Sequence, residues 1–200
     1  MQNILVITSS LFGDNGQSSQ LVNRFVDQLA SRHPQARILR RDLASDPVPH
    51  LDAARAGAFF TPAEQRSAEQ QAIVAFSDGL IDELRQADAI VLGVPMYNFG
   101  IPSTLKAYFD HVARAGVTFR YTENGPQGLL NDVPVYVLAA RGGLYAGTPN
   151  DSQTPFLRSF LGFIGLKRVE FVYAEGLNMG DDRKQDALHN ARERIHALAV

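Results

Sequence analysis

The chain has 200 residues and a mass of 21.9 kDa, long for one domain and short for two, so a single α/β unit over 1–200 is expected. A net charge of −2, from 19 basic and 21 acidic residues, offers no general cation field for nucleic acid or anionic lipid. The absence of cysteine excludes disulfides, thiolate-held zinc, iron–sulfur clusters and a catalytic thiol, so any redox chemistry must be carried by a bound cofactor.

The N-terminus has no basic leading region, and its apolar run is only Ile4 to Ile7. With no 18-residue apolar stretch elsewhere, a soluble cytoplasmic protein without a membrane partner is the expectation. Ile4–Ile7 reads as a buried strand, because parallel strands covered on both faces lose their alternation. A polar loop leads to a helix over about 17–33, with Leu21, Val22, Phe25, Val26 and Leu29 on one face. A second strand is expected at 37–42. Residues 43–60, with Pro47 and Pro49, are expected to be irregular.

Thr61-Pro62-Ala63-Glu64 reads as a capping box opening a long helix to about Gln86. Residues 88–94 form the third expected strand. A loop over 95–102 then leads to a helix over about 103–115. Strands at 133–139 and 169–173, separated by a helix over about 154–165, precede a closing helix over about 181–198. Strands alternating with helices predict a doubly wound parallel sheet with helices on both faces.

Ligands of such sheets bind beyond the carboxyl ends of the strands. Three segments fall there. Ser9-Ser10-Leu-Phe-Gly-Asp-Asn-Gly-Gln-Ser18-Ser19 follows a strand and opens a helix, where free N–H groups suit a phosphate. It carries no lysine, and the usual nucleotide fingerprints are absent, so by itself it also reads as an ordinary serine-capped turn. Met96-Tyr97-Asn98-Phe99, bracketed by Pro95 and Pro102, suits a flat, partly polar ligand or simply covers the core. Ala140-Arg141-Gly142-Gly143 lets the backbone approach a ligand edge, or makes a plain turn. Together they describe a phosphate at one end and a flat ring at the other, as flavin mononucleotide (FMN) presents.

With those three segments the chain resembles the FMN-dependent NADH:quinone reductases known as azoreductases. Ala113–Pro126, Phe160–Gly165 and Ala174-Glu-Gly176 also look like that family. The resemblance implies a flavodoxin-like fold with one tightly bound FMN per chain. It implies FMN contacts from Ser10, Gly16, Gln17 and Ser18, from Met96, Tyr97, Asn98 and Phe99, and from Ala140, Arg141, Gly142 and Gly143. The family often has serine where this chain has Gly16 and Ala140. The implied reaction is ping-pong: NADH delivers two electrons through the flavin, which then pass to a quinone or an azo compound. Complete azo cleavage takes two NADH. Asn98 is expected to orient the ring, and Phe99, Tyr121 and Phe163 are candidate walls of the substrate pocket. The resemblance also implies a homodimer with its site at the subunit interface.

No metal is expected: the five histidines form no metal-spaced pair with a nearby carboxylate, and Asp181-Asp182 reads as a charged helix start. The competing class is a flavodoxin-type electron carrier, which a pI near 6.2 and mixed charge disfavour.

Overall fold

The structure, a computed structural model, describes residues 1–198; positions 199 and 200 of the expected 1–200 unit lie outside the described residues. Five parallel strands form the central sheet: β1 (Asn3–Thr8), β2 (Arg37–Asp42), β3 (Ala89–Pro95), β6 (Val135–Ala140) and β7 (Val169–Ala174). Their order is β2-β1-β3-β6-β7. Every residue of β3 is buried, as are the four central residues of β1, which is why neither strand alternates in sequence.

Side chains of successive strand residues point to opposite faces. Ile4, Val6, Val91, Leu138 and Val172 therefore meet α1 (Gln17–Arg32) and α6 (Asp181–Leu198). Leu5, Ile7, Ile90, Leu92 and Val137 meet α3 (Ala68–Gln86), α4 (Ser103–Val112) and α5 (Gln153–Ile164). A Cβ at Gly93 would sit 3.0 Å from Val22 Cγ2, so glycine is what lets α1 lie close on β3. Asp181 and Asp182 lie in the first turn of α6, at the favourable end of its dipole.

Three expectations fail locally. The segment 43–60 is not wholly irregular: α2 (Ala53–Phe60) forms there, opened by Asp52, whose carboxylate accepts the Arg55 N–H at 2.8 Å. Thr61 does not cap α3. Its hydroxyl donates to Gly57 O at 2.9 Å, closing α2, and a 3₁₀ turn at Ala63–Gln65 follows. The capping box of α3 is instead Ser67 with Gln70, whose N–H donates to Ser67 Oγ at 3.2 Å while Ser67 N–H donates to Gln70 Oε1 at 3.0 Å. The helix expected to reach 115 stops at Val112, because Thr118 Oγ1 takes the Val112 carbonyl at 2.6 Å. An unexpected antiparallel hairpin follows, β4 (Phe119–Thr122) and β5 (Gly125–Gly128). No helix among the described residues is long and apolar enough to cross a membrane.

Candidate functional site

Strand order reverses between β1 and β3, since β2 lies to one side of β1 and all later strands to the other. The crevice at that reversal is bounded by the loops leaving β1, β3 and β6. Ser9 Oγ donates to Gly93 O at 2.9 Å, clipping the first two strand ends together, and Met96 N–H donates to Ala140 O at 2.9 Å, joining the second to the third.

At the first loop, Gly16 is the N-cap of α1 and supplies no side-chain cap, so the helix opens with N–H groups unclaimed by any side chain. Ser18, in the first turn, is 1% exposed, and its hydroxyl has no partner. A buried hydroxyl beside free helix N–H groups is chemically suited to an oxyanion such as a phosphate. A Cβ on Gly16 would fall 2.0 Å from Ser10 Oγ, so Gly16 is matched to the position of the Ser10 side chain, whose oxygen accepts the Phe12 N–H at 3.2 Å.

The second loop is a tight reversal. Tyr97 N–H donates to Gly100 O at 3.1 Å and Gly100 N–H to Tyr97 O at 2.9 Å. The two residues between, Asn98 (φ 48°) and Phe99 (φ 66°), are both left-handed, the pattern of a type I′ turn. Asparagine tolerates this; phenylalanine does so at a cost of about 1–3 kcal/mol. The strained turn presents Phe99, 56% exposed, edge-on to Tyr145 with centroids 5.6 Å apart. Ser152 Oγ donates to the Phe99 carbonyl, and the Tyr97 hydroxyl accepts the Leu11 N–H at 3.1 Å, tying this loop to the first.

In the third loop one side chain is turned to a structural task. Arg141 faces away from the crevice, with no exposed side-chain surface. Its Nε donates to Gln153 Oε1 at 3.1 Å, Nη1 to Glu175 Oε1 at 3.0 Å and Nη2 to Thr154 Oγ1 at 2.9 Å, with Asp151 Oδ1 3.2 Å away. The guanidinium also lies 4.8 Å from the Tyr173 ring centroid. Burial pushes the Asp151 carboxyl up, and its bonds to Thr154 and Arg141 outweigh this and hold it below the usual range. Gln153 Nε2 donates on to Pro95 O at 3.1 Å, so Arg141 braces the crevice from behind and offers it only backbone.

Ser10, Gly16, Gln17, Ser18, Met96, Tyr97, Ala140, Arg141 and Gly142 line one cleft of about 250 Å³. Asn98, Phe99 and Gly143 belong to the same loops but lie outside its lining. Tyr121 and Phe163 are not brought to it. Both pack on Phe119, with centroids 5.4 and 4.1 Å apart, and Phe163 lies ten residues along α5 from Gln153, about 15 Å. The sequence reading missed Leu177, Asn178 and Lys184, which close the cleft from the loop after β7 and the start of α6. Their only signal was position, just beyond the carboxyl end of the last strand. No Asp, Glu or His lines the cleft, and no group of three or more metal-binding side chains occurs among the described residues. Among the described residues three grooves are roomier: about 510 Å³ between α1 and α6 and about 560 Å³ beside the hairpin, neither lined by the β3 or β6 loops, and about 380 Å³ between the Gly100–Ile101 end of the β3 loop and the start of α5.

A family model described as "Flavodoxin-like fold" matches residues 2–199. The chain is 67% identical over 195 residues to an FMN-dependent NADH:quinone oxidoreductase of Alcanivorax borkumensis, covering 98% of each. It is 62% identical to one of Cellvibrio japonicus, covering 98% of this chain and 97% of that one. Among solved structures, an azoreductase of Bacillus anthracis superposes with a TM-score of 0.90 at 28% identity, over 100% of this chain and 99% of that one. An FMN-dependent NADH-azoreductase of the same species, in complex with FMN, gives 0.88 at 26% over the whole of both.

Proposed function

The chain belongs to the flavodoxin-like-fold family, and on that premise we propose that it is an FMN-dependent NADH:quinone oxidoreductase that also reduces aromatic azo compounds. The observation that carries this is the uncapped start of α1 with the buried, partnerless Ser18 hydroxyl, a phosphate cradle at the mouth of the crevice. The redox chemistry that bound FMN supplies is two-electron exchange: NADH, a quinone and a proton give NAD⁺ and a hydroquinone.

The chain's own residues bind and orient. N–H groups of Gln17 and Ser18 and the Ser18 hydroxyl hold the phosphate, while the Gly16 N–H is engaged by Gly13 O. Backbone of Met96–Phe99 and Arg141–Gly143 takes the edge of the ring, with Asn98 orienting it. Phe99, held edge-on to Tyr145, walls the open face and excludes water. No carboxylate or imidazole lines the cleft, and binding geometry is the protein's contribution.

We further propose a homodimer. Leu11, Phe12, Phe99 and Leu144, each at least half exposed, ring the cleft with apolar surface that a second copy would cover. The cleft of one chain falls short of the roughly 300–1,000 Å³ usual for a ligand pocket. The proposed catalytic order is ping-pong, both substrates using one exposed ring face in turn. Steady-state rates with purified protein test the proposal. Parallel double-reciprocal lines for NADH against quinone are expected; intersecting lines would reject the shared face. No turnover without a partner protein would favour the electron-carrier alternative.

A further inference from the structure

We infer that Lys184 is the counter-charge for the FMN phosphate, an inference that rests on the flavin reading above. A phosphate monoester carries about −1.5 to −2 at neutral pH, whereas a helix N-terminus offers only about half a positive charge. The loop from Ser9 to Ser19 contains no lysine or arginine and adds Asp14, so the first loop by itself leaves that charge largely uncompensated.

Two cations line the cleft, Arg141 and Lys184. Arg141 is consumed by Glu175, Asp151, Gln153 and Thr154 and has no exposed side-chain surface. Lys184 is half-buried and makes no ion pair among the described residues.

The placement of α6 puts this lysine at the phosphate end. Helices α1 and α6 both leave the carboxyl edge of a parallel sheet, so they run in the same direction on the same face. Leu188 shares a groove with Gln17 and Leu21 of α1. Lys184 precedes Leu188 by four residues, about 6 Å nearer the edge, which is the level of Gly16 and the open N–H groups. There its side chain shares the cleft with Gly16, Gln17 and Ser18, whose buried hydroxyl has no partner. An ammonium on a flexible stem is a point charge suited to a phosphate. Lys184 therefore favours FMN over flavins that lack the phosphate.

The test is titration of apoprotein with FMN and with riboflavin, followed by quenching of flavin fluorescence, for wild type, Lys184→Gln and Lys184→Arg. Lys184→Gln should weaken FMN binding about 10-fold at low ionic strength, and less as salt rises. Riboflavin affinity should stay within about twofold of wild type, which also shows that the variant is folded. Lys184→Arg should recover most of the loss. Equal FMN affinity in wild type and Lys184→Gln overturns the inference. So does an equal loss for riboflavin, which would place Lys184 on the ring or ribityl chain. A changed KM for NADH with unchanged FMN affinity overturns it too, assigning the charge to the dinucleotide. If wild-type apoprotein binds neither flavin, the flavin reading fails along with it.

Discussion

Ser18 is a buried hydroxyl with no hydrogen-bond partner from the protein. Stability and binding therefore pull in opposite directions at this residue. Ser18→Ala removes an unpartnered polar group and should leave the apoprotein as stable as wild type or up to about 1 kcal/mol more so. The same change deletes a charge-assisted hydrogen bond to the phosphate, worth about 1.5–3 kcal/mol, or roughly 10- to 150-fold in affinity. Urea denaturation of the apoprotein, set beside FMN titration, checks both signs. A variant with lower apo stability and full FMN affinity would mean that Ser18 serves packing. Ser18 was legible in sequence because a serine in the first turn after a strand is a local feature. The brace made by Arg141 was not: its partners Gln153, Thr154 and Glu175 lie 12 to 34 residues away, and only the folded chain shows that they claim the guanidinium.

Among the elements, α2 depends on one imidazole. His111 on α4 is fully buried, and its Nε2 lies 3.0 Å from Pro49 O, just upstream of α2. Phe59 of α2 and Phe76 of α3 stand edge-on to the ring, with centroids 5.9 and 5.7 Å away, and Nδ1 has no partner. Burial pushes the His111 pKa below its ordinary value, and nearby Arg55 acts the same way. The Pro49 carbonyl, Asp110 and Asp52 oppose them without prevailing. The unfolded chain then takes up this proton at higher pH than the folded one does. Stability from His111 is complete above about pH 6.5 and is lost as pH falls from there toward the depressed folded value. We expect urea midpoints to drop between pH 7.5 and pH 5 by more in wild type than in His111→Gln, which can still donate to Pro49 O but does not titrate. Equal drops would show that His111 does not contribute to the acid sensitivity. Helix α2 itself was hidden in sequence: an eight-residue helix between prolines carries too few turns for its periodicity to stand out.

On the scale of the whole molecule, FMN binding and folding are one equilibrium. Ligand that binds only the folded state, held at 100 times its dissociation constant, adds about 2.7 kcal/mol. For a chain of this size that raises Tm by roughly 5–10 °C. We expect that shift with FMN and a much smaller one with FAD at the same concentration, because the short serine loop is suited to a terminal phosphate. An equal shift with FAD would show that the cradle accepts a bridging diphosphate. Thermal melts of apoprotein with each flavin decide it.

By itself the sequence determined the βα alternation, and so the doubly wound class, because burial on both faces writes continuous apolar runs into β1 and β3 and a single apolar stripe into α1. It also marked three of the loops at the cleft, since glycine, proline and serine carry local backbone meaning. The hairpin at 119–128 was masked because its second strand is Gly125-Pro126-Gln127-Gly128, residues that carry no strand signal of their own. Tertiary structure alone decided which loops meet. The right-handed crossovers place α6 on the same face of the sheet as α1, although more than 160 residues separate Lys184 from Gly16 in sequence. It also decided that Tyr121 and Phe163 turn to Phe119 while Arg141 turns to buried carboxylates. Such choices are made by long-range packing and desolvation, which leave no period or motif in the sequence.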